Sequence, residues 1–195
     1  MDRIVIRNFS LFLCLLVFCT AVLIYTLIIG NKAIERIDRR VLHTHDVITA
    51  AEQLSATVEG ALAAQRGYII TGQKNFYDDY QRQKGDITRN LVRLSELTSD
   101  NASQRSRLQK MRDYNTKLME KLGRRAEKYK PLPHITPGFM DDVEAINNLK
   151  SGIMQLNNDV LDEEYFLLNT RVSAIENQKA KYFNFLVAGV VISSG

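Results

Sequence analysis

The sequence predicts an all-α protein, an up-down-up-down antiparallel four-helix bundle whose outer helices continue into two transmembrane helices, the second of them truncated. Three observations indicate this architecture. Apolar residues recur at helical spacing along most of the chain. Glycine and proline are scarce, with 10 and 3 among 195 residues. Both ends of the chain are uncharged apolar runs. Since a quarter of the residues are charged and the rest are rich in aliphatic side chains, the middle is folded rather than disordered.

The N-terminal apolar run is long enough to cross a membrane. No charged residue occurs from Phe9 to Ile29, and a helix of ~20 residues crosses the hydrocarbon core. A cleaved signal peptide is the alternative, but its apolar core would have only ~7–15 residues before a small-x-small cleavage site. The end of this run, residues 27–31, is a poor site of that kind. We therefore predict a cytoplasmic tail at residues 1–8 and an uncleaved transmembrane helix at residues 9–30.

The C-terminal run is interpreted as the start of a second transmembrane helix. Residues 182–195 are uncharged, and Lys179 and Lys181 stand directly before them, as lysines do at a membrane surface. Orientation is judged from the basic residues around the first span. Arg3 and Arg7 favour a cytoplasmic N-terminus, and a long loop can cross the membrane whatever its charge. Residues 31–181 are therefore predicted to lie outside the cytoplasm.

The segment between the apolar runs predicts four amphipathic helices. The first continues from the membrane to Thr71, where Gly72 suits the left-handed position after a helix end. The second begins near Asn75, and residues 98–101 form a turn of capping side chains. Residues 130–138 form the one long loop, and Thr136 followed by Pro137 suits the start of the fourth helix. Predicted core positions of the last three helices include Phe76, Tyr80, Ile87, Leu91, Leu94, Leu108, Met111, Tyr114, Leu118, Leu122, Val143, Ile146, Ile153 and Val160.

Helix lengths predict a parallel homodimer. Residues 31–71 and 138–181 are arms of similar length, whereas the second helix, about residues 75–97, covers only their distal part. The membrane-proximal portions, about residues 31–47 and 165–181, then lack the cover of the inner helices. A second copy of the chain would bury them in a four-helix stalk.

The stretch from Gln65 to Gly72 is the most distinctive local pattern. Arg66 shares a helical stripe with Leu62 and Ile69, so its side chain is expected to face the bundle and to need a carboxylate partner. The carboxylates within reach are predicted to be Asp78, Asp79 and Glu144. Gly67 would allow a ring or backbone to approach closely. Two interpretations are open: these residues fix the distal turn and bind nothing, or Arg66 contacts a ligand.

This pattern resembles the signature of the third class of CHASE domains. Residues 66–72, which read Arg-Gly-Tyr-Ile-Ile-Thr-Gly, are followed by Phe76 and Tyr80, as in that family. A second pattern, Glu164-x-x-Leu-Leu-x-x-Arg171, resembles its C-terminal end, and the resemblance covers about residues 31–181. The family usually has an acidic residue one helical turn before the arginine, where this chain has Leu62. The motif residues that the resemblance singles out are Arg66, Gly67, Tyr68, Thr71, Gly72, Phe76, Tyr80, Glu164 and Arg171.

The resemblance implies an extracytoplasmic sensor in the inner (cytoplasmic) membrane of a bacterium, with its bundle in the periplasm or outside the cell. Such modules belong to histidine kinases, diguanylate cyclases and chemoreceptors, and they pass a small-molecule or protein signal to a cytoplasmic output domain. The expected partners are therefore the lipid bilayer, a second copy of the chain and an unidentified signal. The alternative is a membrane-anchored helical scaffold with no output domain.

Weaker candidates lie near the membrane. Arg36, Arg39 and Arg40 are candidates for a ligand at a dimer interface or for lipid headgroups. His43 and His45 are candidates for sensing pH or a metal. The simpler interpretations are arginines that reach past the end of a span to water and histidines held in a stalk.

Several function classes are not supported by the sequence. No motif of a nucleophile, a phosphate-binding loop or a zinc protease is present, so no enzyme activity or cofactor is predicted for this stretch. The two cysteines, Cys14 and Cys19, lie inside the first apolar run, which leaves no thiolate metal site in residues 31–181. Basic residues are interspersed with acidic ones rather than clustered, so no nucleic-acid partner is expected.

Overall fold

The computed structural model describes residues 2–128 and 137–194, and every regular element in these ranges is a helix. The four helices are α1 (Asp2–Thr71), α2 (Lys74–Leu97), α3 (Ala102–Lys128) and α4 (Pro137–Ser194). They divide between two compact units, which we call the core unit (His43–Leu168) and the terminal unit (Met1–Leu42 with Asn169–Gly195). The all-α prediction is therefore confirmed.

The ends of α1, α2 and α3 follow the predicted turn chemistry. Gly72 ends α1 with a φ of 69°, the left-handed conformation that glycine adopts without strain, and its N–H donates to the Tyr68 carbonyl at 2.8 Å. The side-chain oxygen of Asn101 accepts hydrogen bonds from the N–H groups of Ser103 and Gln104 at 3.0 and 3.2 Å, which caps the start of α3. α4 begins at Pro137 as expected, whereas Thr136 and most of the predicted loop lie outside the described residues.

The core of the core unit is built by apolar side chains from all four helices. Its fully buried members include Leu54, Val58, Ile87, Leu94, Leu108, Met111, Leu118, Leu122, Ile153 and Val160. Tyr114 lies at the rim of the core rather than inside it, because its side chain is 37% exposed. Its ring lies over Gly152 of α4, where an added Cβ would come within 2.7 Å of Tyr114 Cε2. The small residue on α4 thus lets Tyr114 pack at the edge of the core.

Polar contacts within the core unit show how α4 is oriented relative to α1. The amide nitrogen of Asn157 donates to the Ala51 carbonyl at 2.9 Å and to Ser55 Oγ at 2.8 Å. Lys150 pairs with Glu59 at 2.5 Å. Residue numbers rise along one helix as they fall along the other, so α1 and α4 are antiparallel here.

The other neighbouring helices of the core unit show the same opposed numbering. Between α1 and α2, Asn90 donates to Thr57 Oγ1 at 3.3 Å, and the ring of Phe76 packs against Gly67. Between α3 and α4, Arg107 pairs with Glu163, and Tyr114 packs on Gly152.

Within the terminal unit, α1 and α4 also pair with each other. Arg171 donates from Nη1 to the Arg40 carbonyl at 3.0 Å, and the ring of Tyr182 lies directly on Gly30. By length and composition, one helix among the described residues can cross a membrane. It is the stretch Arg7–Thr71 of α1, whose most apolar 18-residue window has a mean hydropathy of 2.8 and no buried residue.

The Asn157 contact gives a first test of the packing. We expect Asn157→Ala to lower the free energy of unfolding by ~1–3 kcal/mol, since it removes one buried and one partly buried hydrogen bond to α1. Asn158→Ala is the matched control, because Asn158 is exposed on the next position of the same helix, and its effect should stay within ~0.5 kcal/mol. Denaturant unfolding followed by circular dichroism measures both. Equal effects of the two variants would contradict the described α1–α4 contact.

Candidate functional site

The turn between α1 and α2 brings together most of the distinctive residues, and we call Arg66–Gly72 with Phe76 and Tyr80 the signature. Its tightest contact joins Gly67 to Phe76. A Cβ built on Gly67 would lie 2.6 Å from Phe76 Cδ1, which is closer than Cβ atoms approach non-bonded atoms in real structures. The predicted close approach of a ring to Gly67 is therefore confirmed. This contact packs the start of α2 against the end of α1.

Thr71 holds the chain where it leaves α1. Its hydroxyl donates to the Gly67 carbonyl at 2.8 Å and accepts a hydrogen bond from the Gln73 N–H at 3.2 Å. Together with the left-handed Gly72, these bonds reverse the chain within two residues. The Thr71 side chain thus stabilises the backbone geometry of the turn.

Three tyrosine rings follow one another along the turn. The ring centres of Tyr68 and Tyr77 are 5.0 Å apart, and those of Tyr77 and Tyr80 are 6.4 Å apart, with tilted planes in both pairs. Such pairs add ~0.5–1.5 kcal/mol beyond the burial of their area. Tyr80 is only 1% exposed, and this burial, with a smaller contribution from Tyr77, raises its pKa to about 12. Burial thus keeps the Tyr80 hydroxyl protonated further into the alkaline range than an exposed tyrosine.

Arg66 does not face the bundle, so the prediction of a buried guanidinium is wrong. Arg66 is exposed, and Gln65 is the buried residue, whose side-chain nitrogen donates to the Leu122 carbonyl at 3.2 Å. The buried positions run from Leu54 and Val58 through Ala61 to Gln65, which places Arg66 about 100° around the helix from Gln65.

The expected carboxylate partners of Arg66 are engaged elsewhere or exposed. Asp79 pairs with Arg82 at 2.5 Å, Asp78 lies 4.0 Å from Lys74, and Glu144 is an exposed residue of α4. Across residues 2–128 and 137–194, no ion pair of Arg66 is formed. The arrangement therefore favours the interpretation in which the signature fixes the distal turn.

The two polar residues of the C-terminal pattern, Glu164 and Arg171, lie in different units. Glu164 is 5% exposed in the core unit. Arg171 is half-buried in the terminal unit, where it holds the Arg40 carbonyl described above. Both residues thus belong to the packing of α4 within their own units.

The weaker candidates between Arg36 and His45 are all exposed. Arg39 pairs with Glu35 at 3.0 Å, and Arg36 donates from Nε to the carbonyl of Lys32 at 3.3 Å. Arg40, His43 and His45 are likewise exposed. In the described part of the chain, no three side chains of His, Cys, Asp or Glu are grouped to hold a metal ion.

The sequence did not reveal a polar network that joins α3 to α4. Glu163 accepts hydrogen bonds from Arg107 and, at 2.7 Å, from Asn101, the residue that caps α3. Partial burial opposes ionisation of Glu163, but the two hydrogen bonds outweigh it, so its pKa lies below the ordinary value. The turn residues signalled the cap at Asn101, but no local pattern links residues 56 positions apart.

The signature contact is tested by adding one methyl group. We expect Gly67→Ala to destabilise the protein by ~1–3 kcal/mol, because the new Cβ collides with the Phe76 ring. Gly85→Ala is the control on α2, where the nearest atom, Arg89 Nη1, is 3.5 Å from the added carbon. That change should be neutral or stabilising by up to ~1 kcal/mol, as for alanine in a helix. Thermal unfolding of both variants would contradict the account if Gly67→Ala were as stable as Gly85→Ala.

The Glu163 network predicts a dependence on pH. Because the folded pKa of Glu163 is lowered, its stabilising contribution is complete above pH 4.5, the ordinary value for this group. The contribution is lost as the pH falls through the lower folded value. Melting curves should therefore show a smaller loss of Tm on acidification for Glu163→Gln than for the unmodified chain. Asp162→Asn, at the exposed neighbouring position, should follow the unmodified chain, and a matching slope for Glu163→Gln would contradict the assignment.

Comparison with known protein families matches residues 37–130 to the CHASE3 domain. No curated protein and no solved structure matches the chain. The matched range contains the whole signature from Arg66 to Tyr80, and it ends before Glu164 and Arg171. The resemblance to the third class of CHASE domains is thereby confirmed. Residues 37–130 thus match a domain that serves signalling receptors as an extracytoplasmic sensory module.

Proposed function

We propose that this chain is the sensor and transmembrane segment of a bacterial receptor, of the histidine kinase, diguanylate cyclase or chemoreceptor type. The CHASE3 match carries the proposal, because its residues make up all of α2 and α3 and the adjoining half of α1. The apolar stretch of α1 supplies a helix able to hold the domain at a membrane. The catalytic step would belong to an output domain outside these 195 residues.

The proposed topology assigns each segment a place. Residues 1–8 are a cytoplasmic tail, residues 9–30 cross the membrane, residues 31–181 form the extracytoplasmic bundle, and residues 182–195 begin the second span. The up-down-up-down order of the bundle is supported by the opposed numbering of contacts between neighbouring helices in the core unit. Continuation of α4 to Ser194 supports a helical start of the second span.

The proposed signal is a displacement of α4 relative to α1. Shifts of ~1–2 Å between packed helices are a common way to pass a signal along a receptor. α4 is one helix from Pro137 to Ser194, so a shift at its distal end can travel along it. A switch from about 1:99 to 99:1 requires ~5.5 kcal/mol of differential binding. A small molecule or a protein can supply that energy, and a parallel homodimer would pair the membrane-proximal arms of two copies.

Thiol labelling tests the proposed topology. In a background with Cys14→Ala and Cys19→Ala, Gln155→Cys adds one thiol at an exposed position of α4, and Asn8→Cys adds one before the first span. With a membrane-impermeant maleimide on bacterial spheroplasts, Gln155→Cys should be labelled at once and Asn8→Cys only after permeabilisation. Mass spectrometry of the mature protein should retain residue 8.

Two results would contradict the topology. Protection of Gln155→Cys in intact spheroplasts would place the bundle in the cytoplasm. Loss of residue 8 from the mature chain would show that the apolar run is a cleaved signal peptide.

A further inference from the structure

A groove in the terminal unit lies between one stripe of α1 and one stripe of α4, and we call it the juxtamembrane groove. It has a volume of about 260 Å³. The α1 stripe consists of Leu27, Gly30, Asn31 and Ile34, at the spacing of one helix face. The α4 stripe consists of Lys179, Tyr182 and Phe183. Both stripes belong to the same compact unit, so their contacts define one site.

Tyr182 shapes the floor of this groove. Its ring lies directly on Gly30, which is buried, and Gln178 donates to its hydroxyl at 3.2 Å. The absence of a side chain on Gly30 lets the two helices approach closely, as small residues do where membrane helices cross. The walls beside this contact are apolar, with Leu27 38% and Phe183 66% exposed. An apolar surface of this kind is stable only against hydrocarbon or another apolar partner.

One end of the groove carries a cation. Lys179 is exposed, and in residues 2–128 and 137–194 no ion pair of Lys179 is formed. Asn31 is the other polar residue that lines the groove with a hydrogen-bonding amide. By contrast, Arg39 on the same side of the membrane junction is paired with Glu35. The groove thus combines an apolar wall with a free ammonium group and a neutral hydrogen-bonding group at its rim.

We infer that the juxtamembrane groove binds an anionic phospholipid, whose phosphate pairs with Lys179 and whose acyl chain lies along Leu27 and Phe183. The inference rests on the proposed topology, in which residue 30 ends one span and residue 182 begins the next, so that the groove lies where headgroups meet hydrocarbon. Basic sites beside membrane helices bind lipid headgroups in this way. The ligand class follows from the combination of charge and apolar wall.

A second copy of the chain is a less suitable occupant of the groove. In a parallel two-fold dimer, each residue of one copy is at the same depth as its counterpart in the other. Closing the groove with the partner would bring two Lys179 ammonium groups to the same level, and like charges repel. An anionic headgroup removes this conflict.

Lipid retention by the full chain tests the inference. The chain is placed in nanodiscs of equimolar phosphatidylglycerol and phosphatidylcholine, released, and examined by native mass spectrometry for retained lipid. Phosphatidylglycerol should be retained in preference to phosphatidylcholine. Lys179→Gln should reduce that preference about five-fold, the effect of one lysine near a lipid surface, and Lys179→Arg should preserve it.

Lys181→Gln is the matched control, because it removes the same charge two residues away, outside the groove lining. It should leave the preference nearly unchanged. Equal losses in Lys179→Gln and Lys181→Gln would overturn the inference in favour of diffuse surface charge. A wild-type chain with no preference, or dimers released without lipid, would also overturn it. Failure of the chain to enter nanodiscs at all would instead contradict the proposed membrane topology.

Discussion

The contact of Asn157 with α1 is the interaction on which the rest of the core unit depends. Burying an amide N–H group without partners is costly, and the side-chain nitrogen of Asn157 donates to the Ala51 carbonyl and to the Ser55 hydroxyl. Apolar layers alone would tolerate several alignments of two long helices, whereas a buried hydrogen-bonded amide favours one of them. In this alignment Lys150 of α4 lies beside Glu59 of α1, and the two side chains form an ion pair. α2 and α3 complete the core around this pair.

In this chain, the signature shared with the CHASE3 domain forms the turn that reverses the chain between α1 and α2. Gly67 admits the Phe76 ring, Thr71 bonds to backbone on both sides, and Gly72 takes the conformation that other residues avoid. Arg66 is the exception, since its side chain is exposed beside these contacts. A motif that identifies a sensory family can therefore record how its bundle is closed at the distal end. The position of the signal-binding surface does not follow from it.

Much of the fold could be predicted from the sequence because its signals are local. Periodic apolar residues, the glycine after Thr71 and the capping Asn101 each act within one helical turn, and each has the expected role. The orientation of Arg66 could not be predicted in this way. Ala61, Leu62, Ala64 and Gln65 are all buried, so the buried face of α1 is wide, and the stripe through Leu62 was not its centre. The Glu163–Arg107 pair was missed because it joins residues that only the tertiary fold brings together.

The proposed signal, a displacement of α4 relative to α1, requires that a change in the distal turn alters the distance between these two helices at the proposed membrane end. Double electron–electron resonance on the full chain in nanodiscs measures this directly, with Cys14 and Cys19 replaced by alanine and spin labels at the exposed positions Asp38 and Ser173. Gly67→Ala makes its direct collision in the distal turn, with the Phe76 ring. We expect this variant to shift the label-to-label distance by ~1–2 Å, the size of helix shifts in switching proteins. An identical distance distribution in a folded Gly67→Ala variant would contradict it.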